Sequence, residues 1–194
     1  NDSAAQRFRL RSTSANVANG TYFIRMASRA NSVLDVSGGS SADGANVQVW
    51  QNNDTGAQKW NFSRNGDGSY TIVNAASGKA LDVKNAAASS GTNIQQWSRN
   101  GSAAQRWYIE YVSGGFRLSS ALNTAFVIDV YGGNAANGTN VALYASNDSK
   151  AQRFTFKATT YVQPLPADQQ AMYNRAQWYN SNTEWLILTD TVGC

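Results

Sequence analysis

Three kinds of residue recur along the chain at a constant spacing of 47 residues. They are the aspartates Asp35, Asp82 and Asp129, the aromatics Trp50, Trp97 and Tyr144, and the glutamines Gln58, Gln105 and Gln152. A carboxylate accepts hydrogen bonds from neighbouring hydroxyls, and the face of an aromatic ring packs against C–H groups. A carboxylate beside an aromatic ring therefore meets the requirements of a saccharide site.

The segments around these residues repeat as well. Residues 20–62 return as residues 68–109 and again as residues 114–156. Within each copy, apolar and polar residues alternate in short runs that are bounded by Gly, Asn and Asp, a pattern typical of β-strands. Each copy predicts about four strands and the chain about twelve, so we expect a closed or nearly closed all-β body.

Alternation also predicts which side chains face away from the core. If Leu34 and Val36 point inward, then Asp35 points outward, and the following strand turns Gln48 and Trp50 outward by the same rule. A shallow site of this kind gives weak binding, so affinity would come from several sites acting together.

The same outward positions can be read in the other two copies. Copy two supplies Asp82, Gln95 and Trp97, and copy three supplies Asp129, Ala142 and Tyr144. Because Ala142 replaces an amide, we expect the third site to be degraded. Gln96 stands where an apolar residue is expected.

Composition excludes several classes of function. The chain has no histidine, which excludes His-dependent catalysis, and its one cysteine, Cys194, cannot form an internal disulfide. The net charge is +4, but only Arg7, Arg9 and Arg11 cluster, so nucleic-acid binding is not expected. No apolar run is long enough to span a membrane, and zinc sites are nearly excluded.

Glycoside hydrolysis needs two carboxyl groups about 5 to 9.5 Å apart. The repeated aspartates belong to separate copies, and neither Glu110 nor Glu184 has a recognisable acidic partner in the sequence. We therefore expect no enzyme in this chain and no metal or other cofactor.

The motifs LDV, NVQVW and QKW of copy one, with their counterparts in copies two and three, resemble the Q-x-W repeats of ricin B-type β-trefoil lectins, the family 13 carbohydrate-binding modules. The resemblance covers about residues 13–160. It implies a β-trefoil of three four-stranded lobes with pseudo-threefold symmetry. The ligands it implies are galactose-like or arabinose and xylose residues, within a polysaccharide such as a cell-wall glycan.

The resemblance also implies the roles of particular residues. The sugar would be held by Asp35 with Trp50, by Asp82 with Trp97 and by Asp129 with Tyr144, and assisting amides would come from Gln48 and Gln95. The family's ligand-binding Asn before the Q-x-W Gln is replaced by Ala57, Ala104 and Ala151. One asparagine stands three residues past each aromatic: Asn53, Asn100 and Asn147. These side chains either reach the sugar instead or only form turns.

The Q-x-W residues themselves are interpreted as core rather than ligand contacts. A buried Gln can tie adjacent backbones together while an aromatic residue fills the lobe. The residues concerned are Gln58, Gln105 and Gln152, with Trp60, Trp107 and Phe154.

The ends of the chain differ from the repeats. Residues 1–10 match residues 147–156 at seven of ten positions, so residues 1–12 are interpreted as the tail of a preceding repeat and residues 13–162 as the trefoil. Pro164 and Pro166 indicate a linker, followed by a short helix and a strand in a truncated second domain over residues 163–194. This tail resembles the start of bacterial L,D-transpeptidase (YkuD-type) domains, without that family's catalytic motifs.

Two functions remain open at this stage. The first is a monomeric, calcium-independent carbohydrate-binding module of a secreted bacterial cell-wall or surface protein. The alternative is a structural spacer or a protein-interaction trefoil in a tandem-module surface protein that binds no sugar. The fold does not decide between them.

Overall fold

Twelve β-strands account for about half of residues 15–159, the part of the 194-residue chain that the computed structural model describes. The chain divides into two units, Asn1–Tyr161 and Val162–Cys194, and the described residues all belong to the first. In chain order the strands are β1 (Gly20–Met26), β2 (Arg29–Val36), β3 (Val47–Gln51), β4 (Trp60–Arg64), β5 (Tyr70–Asn74), β6 (Ala80–Val83), β7 (Ile94–Trp97), β8 (Arg106–Val112), β9 (Gly115–Ser120), β10 (Asn123–Val130), β11 (Thr139–Ala145) and β12 (Phe154–Ala158).

Six of these strands form a closed barrel. The antiparallel pairings run from β12 to β1, then to β4, β5, β8 and β9, and back to β12. Since the ring closes, none of its strands leaves an unpaired edge. In chain order, β1–β4 form lobe 1, β5–β8 form lobe 2 and β9–β12 form lobe 3.

The other six strands form three hairpins, one per lobe, that cover one end of the barrel. These cap hairpins are β2–β3, β6–β7 and β10–β11, and β3, β7 and β11 also contact one another through backbone pairing. The arrangement confirms the predicted all-β fold and the predicted β-trefoil with three four-stranded lobes.

Three asparagines close a hydrogen-bonded ring where the cap hairpins meet. Asn46 Nδ2 donates to Asn140 Oδ1 at 2.9 Å, Asn140 Nδ2 donates to Asn93 Oδ1 at 2.9 Å, and Asn93 Nδ2 donates to Asn46 Oδ1 at 2.8 Å. Each amide is both donor and acceptor, so the ring satisfies all three residues at once. Their 47-residue spacing places the ring on the pseudo-threefold axis.

The core contains the Q-x-W residues, as predicted. Trp60, Trp107 and Phe154 are fully buried, and the three glutamines of the motif are between 0% and 2% exposed. The buried indoles also hold their cap hairpins, because Trp60 Nε1 donates to the Leu34 carbonyl and Trp107 Nε1 to the Leu81 carbonyl, each at 3.1 Å. In lobes 1 and 2 one large side chain therefore ties the cap hairpin to the core, whereas Phe154 of lobe 3 has no side-chain N–H to donate.

Four turn positions have the positive φ that their sequence predicts. The values are +62° at Asp54, +68° at Gly101, +84° at Gly114 and +55° at Asp148. Only Gly114 lies in a tight hairpin, between β8 and β9; the other three lie in loops from a cap hairpin back to the barrel.

Several sequence predictions concern residues outside the described range. These are the tail of an earlier repeat at residues 1–12, the domain boundary near residue 162, the proline linker, and the helix and strand of residues 163–194. They stay predictions.

Candidate functional site

The register of the first cap hairpin places an acid, an amide and an aromatic side chain on one face. Asp35 pairs with Gln48 and Val33 pairs with Trp50, while Leu34, directly opposite Val49, faces the core. Because paired residues of an antiparallel ladder point to the same side, Asp35, Gln48 and Trp50 share the opposite face, which we call the outer face.

The outer faces of lobes 2 and 3 have the same register. Asp82 pairs with Gln95, and Ala80 with Trp97, in lobe 2. Asp129 pairs with Ala142, and Val127 with Tyr144, in lobe 3. The sequence repeat thus builds the same arrangement three times.

The outer-face aromatics are open to solvent, as alternation predicted. Trp50 is 36% exposed, Trp97 is 40% exposed and Tyr144 is 46% exposed. Such side chains lose apolar contact with water when a ligand covers them, so each can stabilise a ligand by stacking.

The outer-face acids of lobes 1 and 2 differ from the sequence prediction. Asp35 is only 6% exposed, Asp82 is 5% exposed, and their partners Gln48 and Gln95 are also buried. The alternation of residues predicted the face on which these acids lie, but it did not predict that they are buried. Gln48 Nε2 donates to Asp35 Oδ1 at 3.1 Å, and Gln95 Nε2 donates to Asp82 Oδ1 at 2.9 Å, so each amide lies directly against its acid.

The Q-x-W glutamine holds the acid in two of the lobes, which sequence reasoning missed. Gln105 Nε2 donates to Asp82 Oδ2 at 3.1 Å and to the Ser98 carbonyl at 3.0 Å, and its Oε1 accepts from the Asn100 N–H at 2.9 Å. Gln152 repeats the arrangement in lobe 3, with Nε2 2.9 Å from Asp129 Oδ2. The core glutamine therefore also positions the carboxylate and the loop that follows the aromatic.

The asparagines after each aromatic form turns. Oδ1 of Asn53, Asn100 and Asn147 accepts a backbone N–H two residues further along, at 3.2, 2.9 and 3.0 Å. This is the Asx-turn that Asn favours in loops. With Oδ1 occupied, the amide nitrogen is the group left to meet a ligand.

Burial changes the acidity of the outer-face carboxyl groups of lobes 2 and 3. Desolvation raises the pKa of Asp82, against the hydrogen bonds from Gln95 and Gln105, and the charge of Asp43 raises the pKa further. Desolvation also raises the pKa of Asp129, with only the hydrogen bond from Gln152 opposing it. Both groups therefore take up a proton at a higher pH than an ordinary aspartate.

Each outer face is bordered by a loop from a neighbouring lobe. A Cβ added at Gly44 of lobe 1 would lie 3.7 Å from Cζ3 of Trp97, and one added at Gly138 of lobe 3 would lie 4.0 Å from Cζ3 of Trp50. The Ser98 N–H also donates to Oδ1 of Asp43, at 2.7 Å. The candidate sites therefore lie between lobes, which no local sequence pattern could indicate.

Tyr131 is an exposed aromatic that sequence reasoning missed. It is 76% exposed and follows Asp129 by two residues, and the intervening Val130 is extended, with φ −90° and ψ 120°. Alternation therefore continues through Tyr131 and places it on the outer face of lobe 3. The corresponding residues of lobes 1 and 2 are Ser37 and Lys84. The alternation of inward and outward residues along β10 is the sequence signal that could have identified Tyr131.

Two features are absent from residues 15–159. No group of three or more His, Cys, Asp or Glu side chains could hold a metal ion. No helix in this range is long and apolar enough to cross a membrane.

Comparison with known proteins gives a family and a set of structural neighbours. The family model described as "Ricin-type beta-trefoil lectin domain-like" matches residues 4–97, 56–144 and 103–173. No curated protein sequence matches the chain.

Three solved structures are similar over most of the trefoil, each with a TM-score of 0.68. The designed threefold-symmetric protein ThreeFoil is 32% identical, with 71% of this chain and 98% of that chain covered. The Rhizoctonia solani agglutinin is 25% identical, with 75% and 99% covered. The exo-beta-1,3-galactanase 1,3Gal43A from Clostridium thermocellum is 27% identical, with 73% and 31% covered.

Proposed function

Since the chain belongs to the ricin-type β-trefoil lectin domain-like family, we propose that it binds glycan through the outer faces of its cap hairpins. The fold and the lectin neighbours support a carbohydrate-binding module at the general level. The observation that carries the assignment to particular residues is the threefold recurrence of a half-exposed aromatic beside a hydrogen-bonded carboxylate.

The proposed contacts follow from this geometry. The ring of Trp50, Trp97 or Tyr144 stacks on the C–H face of a sugar, and the aspartate accepts hydrogen bonds from its hydroxyls. Because Asp35 and Asp82 are almost buried, a sugar reaches only the outer edge of each carboxylate. The adjoining amides Gln48 and Gln95 both hold the acid and present polar atoms to the ligand.

The turn asparagines complete each proposed site. Ala57, Ala104 and Ala151 contribute no polar atom before the Q-x-W glutamine. The side-chain nitrogens of Asn53, Asn100 and Asn147 are then the remaining amide donors in the loops past the aromatics. A site with one stacking ring and few hydrogen bonds is weak, with a dissociation constant on the order of 1 mM, so binding to a polysaccharide depends on several lobes engaging it together.

The proposed ligand is a galactose-like or pentose-containing polysaccharide. The similarity to an exo-beta-1,3-galactanase favours galactose-containing glycans as the first probes. We further propose that the chain belongs to a secreted bacterial protein and tethers it to cell-wall glycan. The proposal rests on the tail's resemblance to L,D-transpeptidase domains, whose residues lie outside the described range.

The test is isothermal titration of the full chain with arabinogalactan and arabinoxylan. Trp50→Ala combined with Trp97→Ala should abolish measurable binding, because these exposed rings carry the stacking and their loss leaves the core intact. Tyr108→Ala, which removes an aromatic from the barrel strand β8 instead of a cap hairpin, serves as the control and should bind like the wild type. Thermal unfolding of each variant checks that it is folded.

The alternative, a trefoil that joins or spaces other modules, has support in one observation. The carboxylates of lobes 1 and 2 are buried and hydrogen-bonded to buried amides, an arrangement that also serves the fold alone. If neither polysaccharide binds, and if the double tryptophan variant retains capture of a protein partner that sugar does not compete away, the alternative replaces our proposal.

A further inference from the structure

A cleft of about 410 Å³ lies next to the candidate site of lobe 2, outside the residues assigned to sugar binding. It is lined by Thr71, Arg99, Gly101, Gln105 and Arg106. Gln105 connects the two regions, because it is one of the residues that line the cleft and its Nε2 donates to Asp82 Oδ2. Arg99 follows Trp97 by two residues in the same loop. A glycan stacked on Trp97 would therefore extend into this cleft, which we call the Arg99 cleft.

The Arg99 cleft carries unbalanced positive charge. Arg106 Nη1 forms an ion pair with Asp67 Oδ2 at 3.1 Å. Arg99 is exposed and forms no ion pair with any residue from 15 to 159. Two arginines thus line one cleft, and a single carboxylate, that of Asp67, offsets their charge. Guanidinium is the side-chain group best matched to carboxylate and sulfate oxygens, since its donors form a planar fork.

The corresponding cleft of lobe 1 carries its charge on different residues. That cleft, of about 390 Å³, is lined in part by Phe23, Asn52, Asp54 and Lys157. Asn52 stands where lobe 2 has Arg99, and Asp54, which forms an ion pair with Lys59 at 3.0 Å, stands where lobe 2 has Gly101. The two arginines that line one cleft are therefore a feature of lobe 2 and are not repeated in lobe 1.

We propose that the Arg99 cleft binds the anionic substituent of an acidic glycan, a carboxylate or a sulfate ester, while a neutral unit of the same glycan stacks on Trp97. The inference rests on the proposed sugar site of lobe 2 and adds a substrate class to it. Lobe 2 then prefers charged glycans over neutral ones.

The experiment uses three matched probes on the full chain: a neutral galacto-oligosaccharide, the same oligosaccharide with a terminal glucuronic acid, and the same oligosaccharide with one sulfate ester. The two acidic probes should bind about three- to tenfold more tightly than the neutral one, as expected for a partly exposed charged hydrogen bond. The excess affinity should fall with added salt. If only one acidic probe gains affinity, that probe identifies the anion.

Two variants separate a specific cleft from general positive charge. Arg99→Ala should remove the excess affinity for the acidic probes and leave the neutral probe unchanged. Arg29→Ala removes the same charge from an exposed position on β2 in lobe 1, and it should retain the excess. Equal effects of both variants would overturn the proposal in favour of non-specific attraction.

The result also distinguishes this inference from the sugar-binding proposal on which it rests. If the neutral probe binds and both acidic probes bind no better, the Arg99 cleft is not an anion site and the proposed function stands. If none of the three probes binds, the proposed function itself fails and the cleft proposal fails with it.

Discussion

Lobes 2 and 3 hold the same aspartate in different ways. In lobe 2, Gln95 donates to one oxygen of Asp82 and Gln105 donates to the other. In lobe 3, Ala142 takes the place of Gln95, so Gln152 alone donates to Asp129, and that acid is more exposed. Between these two lobes, the hydrogen bond from the Q-x-W glutamine to the aspartate is kept, while the hydrogen bond from the strand amide is lost in lobe 3.

This difference changes what each lobe offers to a ligand. Asp82 presents a carboxylate already satisfied on both oxygens, beside the 40% exposed ring of Trp97. Asp129 keeps one oxygen without a donor from residues 15–159, and Tyr131 and Tyr144 lie on either side of it along the outer face. The sequence suggested a degraded third site, but the structure describes a more open one.

The largest expected effect comes from removing the glutamine that both lobes share. Gln105→Ala leaves Asp82 and two backbone groups short of a hydrogen bond, so the free energy of unfolding should fall by about 2–4 kcal/mol. Gln152→Ala should cost about half as much, because the more exposed Asp129 can turn to water. Urea unfolding measures both. A Gln105→Ala chain as stable as the wild type would contradict a positioning role.

The second prediction concerns pH and follows from the raised pKa values of Asp82 and Asp129. Both carboxyls protonate above the usual value of 3.8, so sugar binding in lobes 2 and 3 should weaken as pH falls through those raised values. The folded state then binds more protons than the unfolded state, so these two groups add stability over the same fall in pH.

Titration calorimetry and thermal unfolding at matched pH values separate these two responses. As the pH falls, sugar binding should be lost, whereas protonation of Asp82 and Asp129 should not destabilise the fold. Binding that stays constant down to pH 3.8 would show that neither carboxylate contacts the ligand in its charged form.

The smallest effect is expected at Tyr131. The variant Tyr131→Ser introduces the residue of lobe 1 and removes one of the two rings beside Asp129. It should weaken sugar binding by lobe 3 about two- to fivefold, the usual size of a partly exposed aromatic contact. The matched change Lys84→Ser in lobe 2 should leave neutral sugar binding unchanged. Chemical shifts of lobe 3 backbone amides give the affinity of that lobe alone, and an unchanged value would remove Tyr131 from the site.

Much of the fold could be predicted from the sequence because its determinants are local and repeated. The 47-residue spacing gave three lobes, and period two gave the strands and the outward direction of Trp50, Trp97 and Tyr144. These features depend on which face of a strand a residue occupies, and alternation specifies that face directly.

The rest depended on contacts that alternation does not encode. Asp35 and Asp82 were expected in the open, but each is buried and hydrogen-bonded to a neighbouring amide that is itself buried. Two features join different lobes: the close approach of Gly44 to Trp97, and the hydrogen-bonded ring of asparagines that includes Asn46. Gln96 shows the same limit: it occupies a core position, and its Nε2 donates to the Ser40 carbonyl at 2.7 Å and the Ala42 carbonyl at 3.0 Å, in a loop of lobe 1.

The most direct test of the outer-face sites follows the indole Nε1–H signals of the tryptophans by NMR while arabinose, xylose and galactose are added in turn. Trp50 and Trp97 are exposed on the proposed sites, whereas Trp60 and Trp107 are fully buried and serve as internal controls. The account predicts that at least one sugar shifts the Trp50 and Trp97 signals in a saturable way and leaves the Trp60 and Trp107 signals unchanged. All four signals remaining fixed with every sugar would contradict it.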